Sequence, residues 1–167
     1  MNKVTDLINH YNQLVFFALR RYESDNYAKM REYFASIFIK DISEHIDINS
    51  NLKIIDVGGS RGEFSKFLGE NFNCDVINLE PFEQNHVWKT VHAEAHNMPF
   101  ETDSFDLVLF RGVMEHIEPK KQQISLKEIY RVMKKDGLGY LVIPPWFNPH
   151  AGHGLKPFHI FPFKVAK

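Results

Sequence analysis

Residues 54–64 read Ile-Ile-Asp-Val-Gly-Gly-Ser-Arg-Gly-Glu-Phe, and the fold follows from this stretch. It begins as an apolar strand, continues into a cluster of glycines and ends in the first turn of an amphipathic helix. That order directs free backbone N–H groups toward a ligand at the carboxyl end of the strand. Glycine suits the turn because the backbone bends tightly and a ligand approaches where a Cβ would collide. A turn without a ligand uses the same residues, so the stretch indicates a binding site without proving one.

The spacing of the glycines separates two classes of ligand. The dinucleotide pattern G-x-G-x-x-G, started at Gly58, ends on Glu63, whose size and charge oppose a pyrophosphate. The alternative pattern, an acid followed by glycines, runs from Asp56 to Gly62 and is compact enough for a ligand without phosphates. A nicotinamide-dependent oxidoreductase is therefore disfavoured, and that interpretation survives only if the Gly58 turn holds a pyrophosphate.

A second acid follows at a distance that suits a nucleoside site. Glu80 ends the next apolar strand, eighteen residues beyond Gly62. In doubly wound sheets an acid at this strand end accepts hydrogen bonds from both ribose hydroxyls. The alternative is a solvated loop carboxylate. The glycine turn and the acid together indicate a nucleoside site more strongly than either does alone.

The chain around this stretch alternates short β-rich runs with helical runs. We predict strands at residues 52–57, 75–79, about 88–93, 105–110 and 138–143, and helices at 63–72 and 120–135. Strands that are apolar on both sides and alternate with helices indicate an α/β fold with a parallel, doubly wound sheet. The connection at residues 81–87 is too short for a crossover helix, so we expect a single helical turn there.

The two flanks of this core differ from it in composition. Residues 1–50 contain no glycine and no proline, and their apolar spacing predicts two helices that form a lid or extension. Residues 51–145 form the predicted core. Residues 146–167 are rich in proline, histidine and aromatic residues, and we predict a substrate-side segment there. Its histidines, His150, His153 and His159, form an array without a nearby acid or cysteine, so we predict solvent- or substrate-facing histidines and no metal site.

Composition excludes several classes of protein. A length of 167 residues suits one domain, and 44% hydrophobic with 25% charged residues are ordinary globular values. The net charge of −1 offers no field for a phosphate backbone, so we expect no nucleic-acid partner. The longest apolar run, Leu14 to Leu19, is too short to cross a membrane. The single Cys74 forms no internal disulfide, is expected to be a buried hydrophobe, and favours a cytoplasmic compartment.

Six motifs in order, over about residues 52–145, resemble the class I S-adenosylmethionine-dependent methyltransferases, particularly their small-molecule, type 11-like branch. The matching segments are the glycine turn at 54–62, Glu80, Glu94–Phe100, Asp103–Val108, Arg111–Ile117 and Arg131–Gly137. The resemblance implies a Rossmann-like sheet, S-adenosylmethionine as cofactor and S-adenosylhomocysteine as product. It also implies in-line transfer of a methyl group to a small-molecule acceptor such as a sugar or another polar metabolite.

The resemblance further implies which residues serve the cofactor. The predicted cofactor-binding residues are Asp56, Gly58, Gly59, Ser60, Gly62, Glu80, Pro81, Glu94, Ala95 and Arg111. Within this set Glu80 takes the ribose, Glu94 accepts from the adenine amino group, and Asp56 holds the loop or the amino group of the cofactor. His116 is the catalytic candidate, as a general base for a hydroxyl acceptor. Packing against the cofactor is the more common role for such a residue.

Two departures from the family pattern affect this interpretation. Ser60 stands in place of the middle glycine, although it is small and able to donate a hydrogen bond. The family sheet has seven strands with a final hairpin, whereas 24 residues follow Ile143 here. Either the tail covers the fifth strand, or a second chain pairs with it, or the chain is a shortened form of a longer enzyme, which we favour.

These departures leave an alternative function open. The chain could be a partner subunit or truncated fragment that binds S-adenosylmethionine without catalysis, and the fifth strand could form a homo-oligomer. In the N-terminal helices, Tyr27 and Arg31 either reach the cofactor carboxylate or cover the core and the surface respectively.

Overall fold

A computed structural model describes residues 3–20 and 24–143. In chain order the elements are α1 (Lys3–Arg20), α2 (Ser24–Ser43), β1 (Lys53–Val57), α3 (Glu63–Phe72), β2 (Asp75–Leu79), β3 (Thr90–Val91), β4 (Phe105–Arg111), a short 3-10 helix (Met114–His116), α4 (Pro119–Val132) and β5 (Met133–Val142). The chain divides into two compact units, residues 1–45 and 46–167. The role of the N-terminal residues as a lid stays a prediction.

The N-terminal unit is a pair of helices, as the sequence predicts. Neither helix contains glycine or proline, the two residues that most disfavour a helix interior. His10 Nδ1 on α1 lies 2.8 Å from the hydroxyl oxygen of Tyr33 on α2, and this hydrogen bond joins the two helices. The side chains of Tyr27 and Arg31 lie outside the described part of the chain, and so do the tail histidines His150, His153 and His159.

The second unit is a five-stranded, all-parallel sheet with the order β3-β2-β1-β4-β5, so β1 lies at its centre. β1 pairs with β2 on one side and with β4 on the other. α3 connects β1 to β2 in one direction along the sheet, and α4 connects β4 to β5 in the opposite direction. Because parallel crossovers are right-handed, the two helices cover opposite faces of the sheet. The predicted α/β, doubly wound architecture is confirmed.

The three central strands, β2, β1 and β4, are buried on both faces, which explains their continuous apolar sequences. Phe105, Phe110, Ile54, Ile55 and Leu107 are completely buried. Burial of each such side chain contributes roughly 1.5–3 kcal/mol. Cys74 is buried as predicted, and burial raises the pKa of its thiol, so it stays protonated and is a poor nucleophile. No helix in the described ranges is both long and apolar enough to span a bilayer.

Two connections differ from the sequence predictions. The strand expected at about 88–93 is reduced to Thr90–Val91, and residues 81–87 contain no helical turn. Trp88 is drawn away from the strand because its indole packs on Gly69 of α3 and donates to the carbonyl of Val76 at 2.9 Å. The backbone of Val87 donates to the carbonyl of Arg61 at 2.8 Å, which replaces the expected helical bond.

The last helix and strand also meet earlier than predicted. α4 ends at Val132 rather than Lys135, and β5 begins at once at Met133 rather than at residue 138. Met133 pairs with Phe105, but Leu138 already pairs with Leu107, so β5 bulges between these two positions. The Lys134 ammonium binds the carboxylate of Asp106 at 2.7 Å, which holds the bulged segment in extended form.

Candidate active site

A cavity of about 490 Å³ lies at the carboxyl ends of the strands. Its walls come from the turn after β1, the end of β2, the segment after β3 and the segment after β4. The chain order reverses between β1 and β4, and ligands of doubly wound sheets bind at such a switch point. The cavity includes six of the ten predicted cofactor residues, Gly58, Ser60, Glu80, Pro81, Glu94 and Ala95, and it includes His116.

The turn after β1 is shaped by its own backbone. Gly58 has a φ of 71°, and a Cβ at this position would overlap the side chain of Val113, which packs directly against it. Ser60 also adopts the left-handed region, at 55°, where a residue with a Cβ is strained. Gly59 and Gly62 lie outside the cavity wall, and a Cβ on Gly59 would overlap Asn78. The glycine pattern thus reflects packing of the turn as much as ligand approach.

Asp56 and Arg111 lie outside the cavity wall, and Asp56 is the penultimate residue of β1 before this turn. The Asp56 carboxylate is 1% exposed and accepts from the Ser65 hydroxyl at 3.1 Å and from Arg111 Nη2 at 3.2 Å. The Arg111 guanidinium also lies 3.8 Å over the ring of Phe64. Arg111 lies outside the cavity wall and pairs with the buried Asp56 carboxylate, and its predicted contact with the cofactor stays a prediction. Asp56 ties the end of β1 to α3 and β4, and its two predicted roles toward the loop and the cofactor stay predictions.

Glu80 connects the two halves of the site. Its carboxylate is on the cavity wall, and the residue is 7% exposed. One oxygen accepts the N–H of Ser60 at 3.0 Å, and the other lies 3.4 Å from the N–H of Phe82. A carboxylate has about four acceptor positions, so capacity for further hydroxyl donors is left. Glu80 is therefore placed to hold the glycine turn and a diol at once.

Two contributors to this half of the site were missed in the sequence. Asn78 is fully buried, and its amide donates to the Ser60 carbonyl and to the Thr90 hydroxyl, both at 3.0 Å. A single amide inside an otherwise apolar strand was the available signal. Phe82 lines the cavity although it is 73% exposed. The corresponding signal in the sequence was an aromatic residue two positions after Glu80.

The opposite walls combine apolar and charged groups. Val113 and Ile117 supply apolar surface, and His116 lies on the wall at the end of the short 3-10 helix. Glu118 and Lys121, at the start of α4, add charge to the rim and were not predicted. No group of three or more metal-ligating side chains occurs within residues 3–20 and 24–143.

The cavity fits a nucleoside better than a pyrophosphate. Glu80 and Glu94 both lie on its wall, and each accepts from a hydroxyl or an amino group. Arg61, the cation of the glycine turn, is directed elsewhere: its Nε donates to the carbonyl of Asn85 at 3.0 Å and lies 3.8 Å from Glu63. A ligand with a sugar diol, an amino-bearing base and no phosphate matches these groups.

Known families and relatives match this arrangement. A family model described as a methyltransferase domain, type 11, matches residues 55–141. An uncharacterized methyltransferase of Mycobacterium marinum is 30% identical over 115 residues, which cover 64% of this chain and 44% of that relative. A second, from Mycolicibacterium vanbaalenii, is 29% identical over 119 residues, which cover 66% of this chain and 46% of the relative. The chain spans a little under half the length of these curated relatives.

Solved structures share the fold. The PH0226 protein of Pyrococcus horikoshii superposes with a TM-score of 0.57 at 22% identity, covering 70% of this chain and 54% of that one. A Methanococcus maripaludis protein assigned as an S-adenosyl-L-methionine-dependent methyltransferase gives a TM-score of 0.55 at 20% identity, with 70% and 60% covered. At such identities the likeness is one of fold.

Proposed function

This chain belongs to the class I, S-adenosylmethionine-dependent methyltransferases of the type 11 branch, and from this premise we propose that its cavity binds S-adenosylmethionine and serves methyl transfer to a small-molecule acceptor. The observation that carries the proposal is the Glu80 carboxylate, which is buried in the cavity wall and bound to the glycine turn. A carboxylate in this position suits a ribose diol. Because the chain covers about half of its relatives, the activity of the whole protein is part of the proposal.

The residues of the cavity divide the recognition among them. Glu80 would hold the sugar, Glu94 and the backbone of Ala95 would hold the adenine edge, and the turn at Gly58 would receive the amino-acid end. Pro81 and Ile117 supply apolar surface for the base. Asp56 and Arg111 act from behind the turn and keep its backbone in place.

The chemistry requires little from the protein beyond orientation. When bound, S-adenosylmethionine supplies a sulfonium methyl group, which bonds in line to an acceptor atom as the carbon–sulfur bond breaks and a neutral thioether leaves. The cavity walls orient the reactants and exclude water, and these two effects account for much of the acceleration in such displacements.

We assign His116 a role that depends on the acceptor. Its place on the cavity wall supports proton removal from a hydroxyl acceptor, while an acceptor with a free lone pair needs no base. For a hydroxyl acceptor, His116→Gln should lower methyl transfer about a hundredfold and change S-adenosylhomocysteine affinity only a few-fold. Glu118 and Lys121 on the same rim favour a polar acceptor over an apolar one.

The ligand assignment is tested by calorimetry with S-adenosylmethionine, S-adenosylhomocysteine and NADH. We expect saturable binding of the two adenosyl compounds and none of NADH. Binding of NADH alone would refute the proposal and restore the oxidoreductase interpretation. Transfer of radiolabelled methyl groups into a metabolite extract then tests activity.

A second function is favoured by the edge of the sheet. Within the described residues β5 pairs with β4 on one side, and Leu141 at its end is 42% exposed. An edge of this kind pairs readily with another strand. A subunit that binds S-adenosylmethionine and docks through β5, on a second copy or on another chain, would bind the cofactor in calorimetry without transferring methyl groups. Light scattering tests the homo-oligomer, and a monomer at every concentration would contradict it.

We also propose a cytoplasmic location and no nucleic-acid partner.

A further inference from the structure

The segment between β3 and β4, residues 92–104, carries Glu94 and Ala95 to the cavity but contains no helix or strand. Its local contacts near the site are a turn, in which the N–H of Asn97 donates to the carbonyl of Glu94 at 3.0 Å, and the approach of His96 Nδ1 to the Glu94 carboxylate at 3.7 Å. A loop of this length keeps a defined shape only if other elements satisfy its backbone groups. The position of the Glu94 carboxylate therefore depends on what holds residues 97–100.

Two side chains of α4 hold that backbone. The carboxylate of Glu128 accepts the N–H of Met98 at 2.9 Å. The guanidinium of Arg131 donates to the carbonyl of Met98 at 3.0 Å and to the carbonyl of Phe100 at 2.6 Å. Both backbone groups of Met98, three residues after Ala95, are thus fixed by one helix. Met98 itself is 4% exposed, so its side chain is anchored in the core as well.

The two side chains also fix each other. Arg131 Nε lies 2.6 Å from Glu128 Oε1, and Nη2 lies 2.7 Å from Oε2, which is the two-pronged geometry of the strongest ion pairs. The hydrogen bonds from Arg131 lower the pKa of the Glu128 carboxyl, although burial opposes them. Glu128 is therefore ionised near neutral pH and available as an acceptor for the Met98 N–H. A lysine at position 131 could not make these four bonds, because its ammonium has no planar fork.

We propose that the Glu128–Arg131 pair is a positioning element for base recognition, which sets the Glu94–Ala95 edge of the cavity so that it selects adenine. The inference rests on the proposed function, since it gives the pair a ligand to act on. Adenine presents an amino donor beside a ring-nitrogen acceptor. Hypoxanthine presents a carbonyl acceptor and a ring N–H donor at the same two positions. A correctly placed carboxylate and backbone N–H discriminate between them, because hypoxanthine turns an acceptor toward the carboxylate and a donor toward the N–H.

A second ion pair offers a matched control. Lys134 and Asp106 lie 2.7 Å apart, and they are somewhat more exposed than the first pair, at 43% and 24% against 32% and 18%. Asp106 stands at the amino end of β4, five residues and roughly 16 Å from the cavity end of that strand. Loss of this pair removes a comparable interaction without touching residues 92–104.

The experiment compares Arg131→Met with Lys134→Met in the full chain. Calorimetry measures the affinity for S-adenosylhomocysteine and for its deaminated analogue, which carries hypoxanthine, and urea unfolding of the same samples measures stability. Both variants should unfold at lower urea than the wild type. Only Arg131→Met should bind S-adenosylhomocysteine about tenfold more weakly and lose about tenfold of the preference for adenine over hypoxanthine. Lys134→Met should change neither quantity more than twofold.

A conservative variant separates positioning from folding. Arg131→Lys keeps the charge and most of the stability, but we expect it to show the same loss of adenine preference, and it carries the test if Arg131→Met does not fold. An unchanged preference in the Arg131 variants, or an equal change in Lys134→Met, would overturn the inference and leave the pair a purely structural one. A wild-type protein that binds neither adenosyl ligand would instead refute the proposed function.

Discussion

The turn after β1, residues 58–62, is built on left-handed residues of its own and is tied to Asn78 and Glu80, whereas the segment between β3 and β4, residues 92–104, is held by side chains about thirty residues away. Gly58 and Ser60 in the first are left-handed, and the carbonyls of Met98 and Phe100 in the second are held by Arg131. A glycine turn is encoded locally and is readable in sequence. A loop held by a distant helix is encoded by the fold.

The comparison predicts that the glycine turn is the less tolerant of added volume. Gly58→Ala combines a left-handed φ with overlap against Val113, so we expect a loss of about 4 kcal/mol in unfolding free energy and of cofactor binding. Gly112→Ala is the control, because its φ is also positive but its nearest contact would be Glu115 at 3.5 Å. We expect Gly112→Ala to lower the free energy of unfolding by about 1 kcal/mol. Equal losses in urea unfolding would show that strain alone matters at Gly58.

The support behind the turn should be the next most costly to remove. Arg111→Met leaves the buried Asp56 carboxylate without its cation, and we expect the free energy of unfolding to fall by about 3 kcal/mol. Adding Asp56→Asn to that variant should recover part of the loss, since an uncompensated charge no longer remains. Denaturant titration of both variants measures this. A double variant less stable than Arg111→Met would contradict the assignment of Arg111 as the partner of Asp56.

The segment held by α4 should be sensitive to acid through Glu128. Because its folded pKa is lowered, its contribution to stability is present above the ordinary range of about 4.3 and is lost as pH falls through the folded value. The stability gap between the wild type and Arg131→Met should therefore narrow as pH falls. Urea unfolding at neutral pH and near the acid limit of folding measures the gap. A constant gap would mean that the charge of Glu128 adds nothing to the stability that Arg131 provides.

The smallest expected effect is at the departure from the family pattern. Ser60→Gly removes the strain of a serine in the left-handed region but increases the conformational entropy of the unfolded chain. The free energy of unfolding should therefore change by no more than about 1 kcal/mol. The N–H that Glu80 accepts is retained, and affinity for S-adenosylhomocysteine should stay within a few-fold. A large loss of affinity would show that the Ser60 hydroxyl itself contacts the ligand.

Much of the fold and part of the site could be predicted from the sequence, for reasons that the two loops illustrate. The sheet and the acid at Glu80 follow from apolar runs and from residues at strand ends, which are local signals. The pairing of Arg111 with Asp56 joins residues 55 positions apart, and no spacing pattern indicates that this buried carboxylate has a cation as its partner. Asn78 and the Glu128–Arg131 pair act through partners that no spacing pattern identifies. The early start of β5 depends on Asp106, again across the sheet.

The central claim is that the buried carboxylate at the end of β2 holds the sugar of an adenosyl ligand. Calorimetry with S-adenosylhomocysteine on Glu80→Ala, with the exposed Glu83→Ala as control and urea unfolding of the same samples, tests it most directly. We expect a loss of about a hundredfold or more in affinity for Glu80→Ala and none for Glu83→Ala, because a charged acceptor of two hydroxyls is removed in the first case alone. A folded Glu80→Ala protein that binds as tightly as the wild type would contradict the account.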